Sequence, residues 1–349
     1  MLITALTSLA LTATLLGTPH ASAPVTTTDA PRIPKLTAER WITYDADADV
    51  VLASWNANDR AAMASVTKVM TAIIVLDNTG VSDIMTVPDF ATRAKGSVAG
   101  LVAGEEWTVG DLLIAMLVRS GNDAALTLGY HVGGNSMSRF VAMMNAEAVA
   151  FGMNNTHFAN PNGLDADDHY STARDLITLI IASQEYPDIR RVSRIRLVTM
   201  PADPNGKDRI FTNTNKLLGS YPGVTGLKTG DTPLADKVLL ATSDRAGRRI
   251  YTVVMHSDDH FGDTRELLDW SYSTFSIRDR WLRPLFSEDG GGATVRVPVD
   301  LTDGEMRRLR ALDSLDDGRW STSRLEDLPK AESIGRWIRG AIPDVASGE

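Results

Sequence analysis

Two β-hairpin patterns stand at opposite ends of a long helix-rich stretch in this chain. "RWITYD" (40–45) and "VVLASW" (50–55) flank an Ala/Asp turn, and "KVLLATS" (237–243) and "RIYTVVMHS" (249–257) flank "DRAGR". β-Branched and aromatic residues in such segments favour strands. Strands from both ends of a chain, with helices between them, suit a single sheet. The sequence therefore predicts an α/β (α+β) fold, in which helices flank an antiparallel sheet and an all-helical subdomain is inserted.

The stretch between the hairpins shows the periodicity of several helices. Residues 65–80, "SVTKVMTAIIVLDNTG", repeat apolar residues at helical spacing and close at Gly80. Residues 263–275 predict a closing helix, and residues 201–233 are predicted to be rich in loops. Later helices should begin at candidate N-caps, namely Thr108, Ser138 and either Ser171 or Thr172.

The two ends of the chain differ in composition from the main domain, which we place at residues 37–280. Residues 1–23 are uncharged and mostly apolar, and they end in "ASA", which is typical of a signal-peptidase site. Residues 24–36 are rich in Pro and Thr and predict an exposed lead-in. We therefore expect an exported protein, in the periplasm or cell envelope. Residues 281–349 predict a linker and a small tail.

The tail contains a candidate amphipathic helix at residues 330–342, "KAESIGRWIRGAI". Its apolar face and flanking cations suggest peripheral contact with the outer face of the cytoplasmic membrane. The alternative is a helix that packs on its own domain. After the signal segment no apolar run reaches about 18 residues, so we expect no later transmembrane span.

Charge and cysteine content exclude several classes of function. The net charge of −9, without a dense block of Lys or Arg, argues against a nucleic-acid partner. The absence of cysteine excludes disulfides, thiolate metal sites and a cysteine nucleophile.

Ser65 and Lys68 form the first candidate pair for chemistry. Three residues apart on a helix, they share one face, so the amine can approach the hydroxyl. Burial and the positive end of the helix dipole would both favour a neutral amine, which could accept the serine proton. The spacing alone is weak evidence, because Ser-x-x-Lys occurs by chance about once in a chain of this length.

Two further short motifs follow downstream. "RSGND" presents Ser120 and Asn122 at a turn between two helices, where a hydroxyl and an amide can relay a proton and bind a peptide group. "GLKTGDT" presents Lys228, Thr229 and Gly230 just before the second hairpin. A glycine on an edge strand lets an extended peptide approach, and the lysine and threonine supply a cation and a hydroxyl for an anionic group.

In this order and spacing the three motifs resemble those of the penicillin-recognising serine enzymes. The segments "MASVTKVMTA", "LLIAMLVRSGNDAA", "NNTHFANPNGLDADDHYSTARDL" and "NTNKLLGSYPGVTGLKTGDTPLA" look like those of low-molecular-mass D-alanyl-D-alanine carboxypeptidases. The resemblance covers about residues 38 to 276. It implies a β-lactamase/transpeptidase-like fold, no cofactor and no metal.

The resemblance also implies catalytic roles. Ser65 would attack the carbonyl between the two terminal D-alanines of a peptidoglycan stem peptide, with Lys68 as its base and Lys228 helping to keep the pKa of Lys68 low. Ser120 would pass the proton to the leaving amine. Penicillin and other β-lactams would inhibit by acylating Ser65.

The remaining family positions would bind the substrate. Asn122 would hold the acyl-side amide, and Thr229 with Lys228 the terminal carboxylate. Gly230 completes the third motif, and the backbone N–H groups of Ser65 and of Asp231, the residue after that motif, would form the oxyanion hole. Arg265 matches a family arginine that assists carboxylate binding; the alternative is a helix residue paired with Asp263 or Asp269.

Three positions depart from the family pattern. Asp231 occupies a place usually held by an aromatic, histidine or small residue, and it adds negative charge near a substrate carboxylate. Asn162 stands where many relatives carry a histidine associated with deacylation. Asp236 replaces a common glycine.

The sequence leaves several functions open besides that of a carboxypeptidase. Endopeptidases and transpeptidases that act on peptidoglycan cross-links share the same motifs. A class A β-lactamase would need a carboxylate base for deacylation, and residues 148–184 contain no glutamate. A non-catalytic peptidoglycan-binding relative would not need Ser65, Lys68, Ser120 and Lys228. A zinc peptidase using His256 and His260 lacks a glutamate after the first histidine.

Overall fold

A five-stranded antiparallel sheet forms the centre of the computed structural model, which describes residues 32–274. The strands in chain order are β1 (Arg40–Asp45), β2 (Val50–Trp55), β3 (Ile84–Thr86), β4 (Glu106–Thr108), β5 (Leu197–Met200), β6 (Arg209–Thr212), β7 (Val224–Thr232), β8 (Asp236–Arg245) and β9 (Arg248–Ser257). The central sheet has the order β2-β1-β9-β8-β7. Strands from both ends of the described chain thus form one sheet, as predicted.

Both predicted hairpins are confirmed, and they meet in the middle of the sheet. β1 and β2 pair with Trp41 opposite Trp55, and β8 and β9 pair with Asp244 opposite Arg249. β1 also pairs along its length with β9, which joins the two hairpins. This order leaves β7 at an edge, with one side free for an extended peptide.

Helices cover both faces of the central sheet. They are α1 (Lys68–Asn78), α2 (Val109–Leu117), α3 (Asn122–Val132), α4 (Met137–Ala150), α5 (Ala173–Ser183), α6 (Pro187–Ser193) and α7 (His260–Thr274). α7 packs with Trp41, Leu239 and Val254 in one hydrophobic core. The inserted helices share a second, larger core with Ile42, Leu240 and Val253 from the sheet. The predicted helical insertion is therefore confirmed.

Helix starts agree with the predicted caps at two of three places. Thr108 and Thr172 each accept a hydrogen bond from a backbone N–H three residues on. The predicted cap Ser138 is wrong, because Ser136 accepts from the N–H of Arg139 instead. The helix expected to close at Gly80 ends at Asn78.

The stretch predicted to be rich in loops contains β6 and all of β7. β6 pairs with β5 in a small separate sheet. Because this stretch is rich in glycine and polar residues, it lacks the alternation of apolar and polar residues that predicts a strand. Pairing with neighbouring strands stabilises β6 and β7 instead.

Several predictions fall outside the described residues 32–274. They are the signal segment 1–23, most of the lead-in, the linker and tail, and the candidate helix 330–342. Within residues 32–274, no helix is both long enough and apolar enough to cross a membrane.

Candidate active site

A turn of 3-10 helix, Ala64–Thr67, carries Ser65 directly into the start of α1. Ala64 has φ 51, a left-handed conformation that L-residues rarely adopt. Lys68 is the first residue of α1, and its side chain is completely buried. The predicted helical pair is thus present, although the helix proper begins three residues after Ser65.

Three polar atoms surround the amine of Lys68. Nζ lies 2.7 Å from Ser65 Oγ, 2.7 Å from Asn122 Oδ1 and 2.5 Å from the carbonyl oxygen of Asn162. A carbonyl oxygen can only accept, so the two carbonyl groups take two N–H bonds. A neutral amine then has one lone pair left, and it faces the hydroxyl of Ser65. This geometry suits removal of the Ser65 proton by Lys68.

Electrostatics favours this neutral amine. Burial holds the pKa of Lys68 well below its ordinary value, the charge of Lys228 lowers it further, and Asp123 opposes them. The carboxylate of Asp123 is itself held by the backbone N–H groups of Ala99, Gly100 and Leu101.

Ser120 and Lys228 form a second contact pair in the site. Ser120 lies between α2 and α3 with φ 63, so the turn directs it toward β7. The amine of Lys228 donates to Ser120 Oγ and to the carbonyl oxygen of Thr229, both at 2.9 Å. Burial lowers the pKa of Lys228 to about 7. Residues from the second and third motifs are therefore joined directly.

Asn122 links the first and second motifs. Its Oδ1 accepts from Lys68, and its Nδ2 donates to the carbonyl oxygen of Lys95 at 2.6 Å. An amide nitrogen carries two hydrogens, so one N–H is left for a ligand. The expected contact with a substrate amide requires that remaining hydrogen.

Gly230 lets the edge strand lie against the nucleophile turn. A Cβ at Gly230 would lie 2.8 Å from the Cβ of Ala64 and 3.2 Å from the backbone nitrogen of Ser65. Only glycine permits this approach without displacement. The segment Gly230–Asp231 and the N–H of Ser65 are therefore neighbours, as the expected oxyanion hole requires.

Of the two residues expected to bind the terminal carboxylate with Lys228, Thr229 lies in the site and Arg265 lies outside it. Thr229 Oγ1 donates to Thr214 Oγ1 at 2.6 Å, at the edge of β7. The guanidinium of Arg265 lies 3.4 Å from Ser220 Oγ, and no hydrogen bond joins it to Thr229 or Lys228. The structure brings together the other predicted site residues but leaves Arg265 outside that cluster.

Two of the three departures from the family pattern have a clear structural setting. Asn162 contributes its backbone carbonyl to Lys68, and its side-chain Oδ1 accepts from the N–H of Leu164. Asp236 has φ 47, which explains why glycine is common at this position. Asp231 is exposed beside the cluster.

Sequence reasoning missed the loop that supports the nucleophile turn. A Cβ at Gly163 would lie 2.0 Å from the carbonyl oxygen of Ala64, so that loop and the turn touch backbone to backbone. Asp165 ties the same loop to the β7–β8 turn by accepting from Thr232 Oγ1 and the N–H of Leu234. The signal was present in "NPNGLD", a cluster of turn-forming residues.

His169 is a second residue that sequence reasoning missed. Its Nδ1 accepts from the N–H of Ala159 at 3.0 Å, so Nε2 carries the proton and faces Thr67 Oγ1 at 2.7 Å. Thr67 Oγ1 in turn donates to the carbonyl oxygen of Ala64. A neutral histidine therefore supports the residue before the nucleophile. Burial, aided by the charge of His157, lowers the pKa of His169 to about 4.

His169→Gln is expected to remove part of the acid sensitivity of the fold. The folded-state pKa of about 4 lies below the ordinary value of 6.5, so the unfolded chain binds more protons between these values. The wild type should lose about 3 kcal/mol as pH falls through this window. Glutamine keeps a donor and an acceptor but does not titrate. Urea unfolding of both proteins above and below the window measures the difference, and equal losses would contradict it.

His256 and His260, the two histidines of the zinc-peptidase alternative, make contacts that do not form a metal site. His256 Nδ1 lies 3.7 Å from a carboxylate oxygen of Glu39, and the ring of His260 packs on Phe261. Within residues 32–274, no three His, Cys, Asp or Glu side chains stand close enough to hold a metal ion.

Comparison with known proteins agrees with this geometry. A family model described as D-alanyl-D-alanine carboxypeptidase matches residues 25–259. The D-alanyl-D-alanine carboxypeptidase DacB2 of Mycobacterium tuberculosis is 32% identical over 249 residues, which are 69% of this chain and 84% of the relative. DacF of Bacillus subtilis, with the same description, is 30% identical over 268 residues, 74% of this chain and 67% of the relative.

Solved structures share the fold. A D-alanyl-D-alanine carboxypeptidase from Mycobacterium tuberculosis has TM-score 0.67 and 32% identity, and the match covers 72% of this chain and 96% of that one. The Streptomyces K15 DD-transpeptidase has TM-score 0.66 and 28% identity, covering 69% of this chain and 99% of that one. The predicted β-lactamase/transpeptidase-like fold is confirmed.

Proposed function

Because the chain belongs to the D-alanyl-D-alanine carboxypeptidase family, we propose that Ser65 is the nucleophile with which it removes the terminal D-alanine from peptidoglycan stem pentapeptides. The protein is a serine-type D-Ala-D-Ala carboxypeptidase of peptidoglycan. The observation that carries the residue assignment is the environment of Lys68, whose Nζ lies within hydrogen-bond distance of Ser65 Oγ and of the carbonyl oxygens of Asn122 and Asn162.

Acylation would proceed as a balanced transfer. Lys68 takes the proton of Ser65 as Oγ forms an ester with the carbonyl carbon of the penultimate D-alanine. The N–H groups of Ser65 and Asp231 hold the developing oxyanion. As the C–N bond breaks, Ser120, bound to Lys228, gives its hydroxyl proton to the nitrogen of the departing D-alanine. Ser120 is reprotonated by the proton that Lys68 took from Ser65, so Lys68 is neutral again. Water then cleaves the ester and restores Ser65.

Substrate binding would use the free edge of β7. The extended peptide lies along this strand, with its terminal carboxylate at Thr229 and Lys228. The remaining N–H of Asn122 binds the acyl-side amide. Arg265 stays a candidate for the carboxylate only if its guanidinium moves away from Ser220 when substrate binds.

Penicillin should acylate Ser65 and leave slowly. Residues 148–184 contain no glutamate to act as the deacylation base of a class A β-lactamase. Asp165 of the supporting loop accepts instead from Thr232 Oγ1 and the N–H of Leu234. Export to the periplasm or cell envelope fits a peptidoglycan substrate. The membrane contact of residues 330–342 stays a prediction.

Mass spectrometry of muropeptides tests the function. Purified full-length protein is expected to remove one D-alanine from each pentapeptide stem and to leave tetrapeptides unchanged. The second candidate is cleavage or formation of cross-links, which the likeness to the Streptomyces K15 DD-transpeptidase favours. Cleavage of cross-links without loss of D-alanine from pentapeptides would overturn the first choice.

A further inference from the structure

A pocket of about 750 Å³ lies behind the segment that supports Thr229. Three cations line it, namely Arg194, Arg196 and Lys216, together with three apolar residues, Ile195, Leu197 and Leu218. Arg194 and Arg196 are close together in the sequence, and the fold brings Lys216 to them from a separate segment. A positively charged pocket in a chain of net charge −9 needs an explanation.

The cations of this pocket have no carboxylate partner among residues 32–274. The neighbouring arginines outside the pocket differ, since Arg191 pairs with Asp188 at 2.8 Å and Arg190 donates to the carbonyl oxygen of Gln184. Three like charges around one concavity repel one another, and a bound anion would relieve that repulsion.

The guanidinium of Arg196 lies against the backbone at Gly219. A Cβ at Gly219 would lie 2.6 Å from Arg196 Cζ, and Gly219 has φ +73, so only glycine suits this position. A side chain at this position would displace the guanidinium of Arg196 from its place at the rim of the pocket.

The wall of the pocket is also the support of the catalytic edge. Thr212, Asn213, Asn215 and Lys216 line this wall. Thr214, which lies between them in the chain, accepts the hydrogen bond from Thr229. Asn215 Nδ2 donates to the carbonyl oxygen of Gly226 in β7 at 3.1 Å, and Asn213 Nδ2 donates to that of Ile195 at 2.9 Å. The pocket is thus separated by one chain segment from the place where the terminal carboxylate would bind.

We propose that this pocket is a subsite for the carboxylates of a second, acidic stem peptide that lies beside the peptide being cleaved. The proposal rests on the proposed function, because only the segment around Thr214 separates the pocket from the edge strand that would bind the cleaved peptide. Its volume suits several residues rather than a single ion, and its apolar side chains suit a peptide better than a phosphate polymer. The arginines bind carboxylate as planar, bidentate donors.

The test compares three substrates that end in D-Ala-D-Ala. The first is a short acylated peptide with no other carboxylate, the second a dimeric muropeptide with an acidic neighbouring stem, and the third the same dimer with that stem amidated. Wild type at low salt should release D-alanine from the acidic dimer with the highest kcat/KM. The variant Arg194→Gln/Arg196→Gln should lower kcat/KM for the acidic dimer about tenfold and leave the other two substrates unchanged.

The control variant is Arg191→Gln, which removes one exposed arginine outside the pocket and should change none of the three rates. Equal kcat/KM of wild type for the acidic and amidated dimers would overturn the proposal. If wild type but not the double variant also bound poly(glycerol phosphate), the pocket would serve a phosphate polymer instead. Failure of the proposed carboxypeptidase function gives a different result from failure of the subsite proposal, because wild type would then release no D-alanine even from the short peptide.

Discussion

Ser65→Ala is expected to lower the release of D-alanine from pentapeptide muropeptides by a factor on the order of 10⁴ or more. The substitution removes the only atom that the proposed mechanism uses to form the acyl-enzyme. Lys68 keeps its bonds to Asn122 and Asn162, so the fold should persist. Labelling with a fluorescent penicillin, followed by mass spectrometry of tryptic peptides, measures the same step without turnover.

The wild type should carry one penicilloyl group, on the peptide that contains Ser65, and the variant none. Ser138→Ala is the matched control, because Ser138 lies in α4 and its hydroxyl contacts that of Ser136. An adduct on any other serine, or undiminished labelling of Ser65→Ala, would refute the assignment of the nucleophile.

Lys68→Met is the second substitution with a large expected effect. Methionine fills the buried space with an unbranched side chain but cannot take the proton of Ser65. General-base contributions of this kind are about 10² to 10⁴ in rate, so penicillin acylation of Ser65 should slow by about that factor. Stopped-flow measurement of acylation at neutral pH checks this result directly.

Stability should change much less than the acylation rate in Lys68→Met. Two carbonyl oxygens lose a donor, which destabilises, whereas removal of a buried amine whose pKa is strongly lowered stabilises. The matched control Lys95→Met removes an exposed amine near the same site while its backbone carbonyl still accepts from Asn122. Acylation of Lys68→Met at the wild-type rate would show that another group is the base.

Much of the scaffold was accessible from local sequence patterns. Both hairpins of the central sheet and the caps Thr108 and Thr172 follow from residue types within a few positions of one another. Ser138 failed as a cap because two serines stand close together, and the backbone at Ser136 has the extended conformation that a cap requires. The sequence patterns did not predict β6 and β7, because the stability of these strands comes from partner strands rather than from their own residues.

The resemblance to a known family predicted the motif residues of the site, but it did not predict the contacts that hold those residues in place. The Asp123 carboxylate, the Gly163 contact with Ala64 and the hydrogen bond from His169 to Thr67 join segments whose separation in the sequence carries no signal. A buried polar contact of this kind becomes visible only when both partners have been placed.

The sequence by itself determined that Ser65 and Lys68 share one face of a turn and that Lys228 precedes a hairpin, because helical and strand periodicities act over a few residues. Only the tertiary structure decided the protonation of the two lysines. Their lowered pKa values arise from burial by many segments and, for Lys68, from the charge of a residue in a distant strand. The cationic pocket has the same origin, since Lys216 meets Arg194 and Arg196 only after the chain has folded. Desolvation and Coulomb interactions depend on distance in space, which local patterns do not encode.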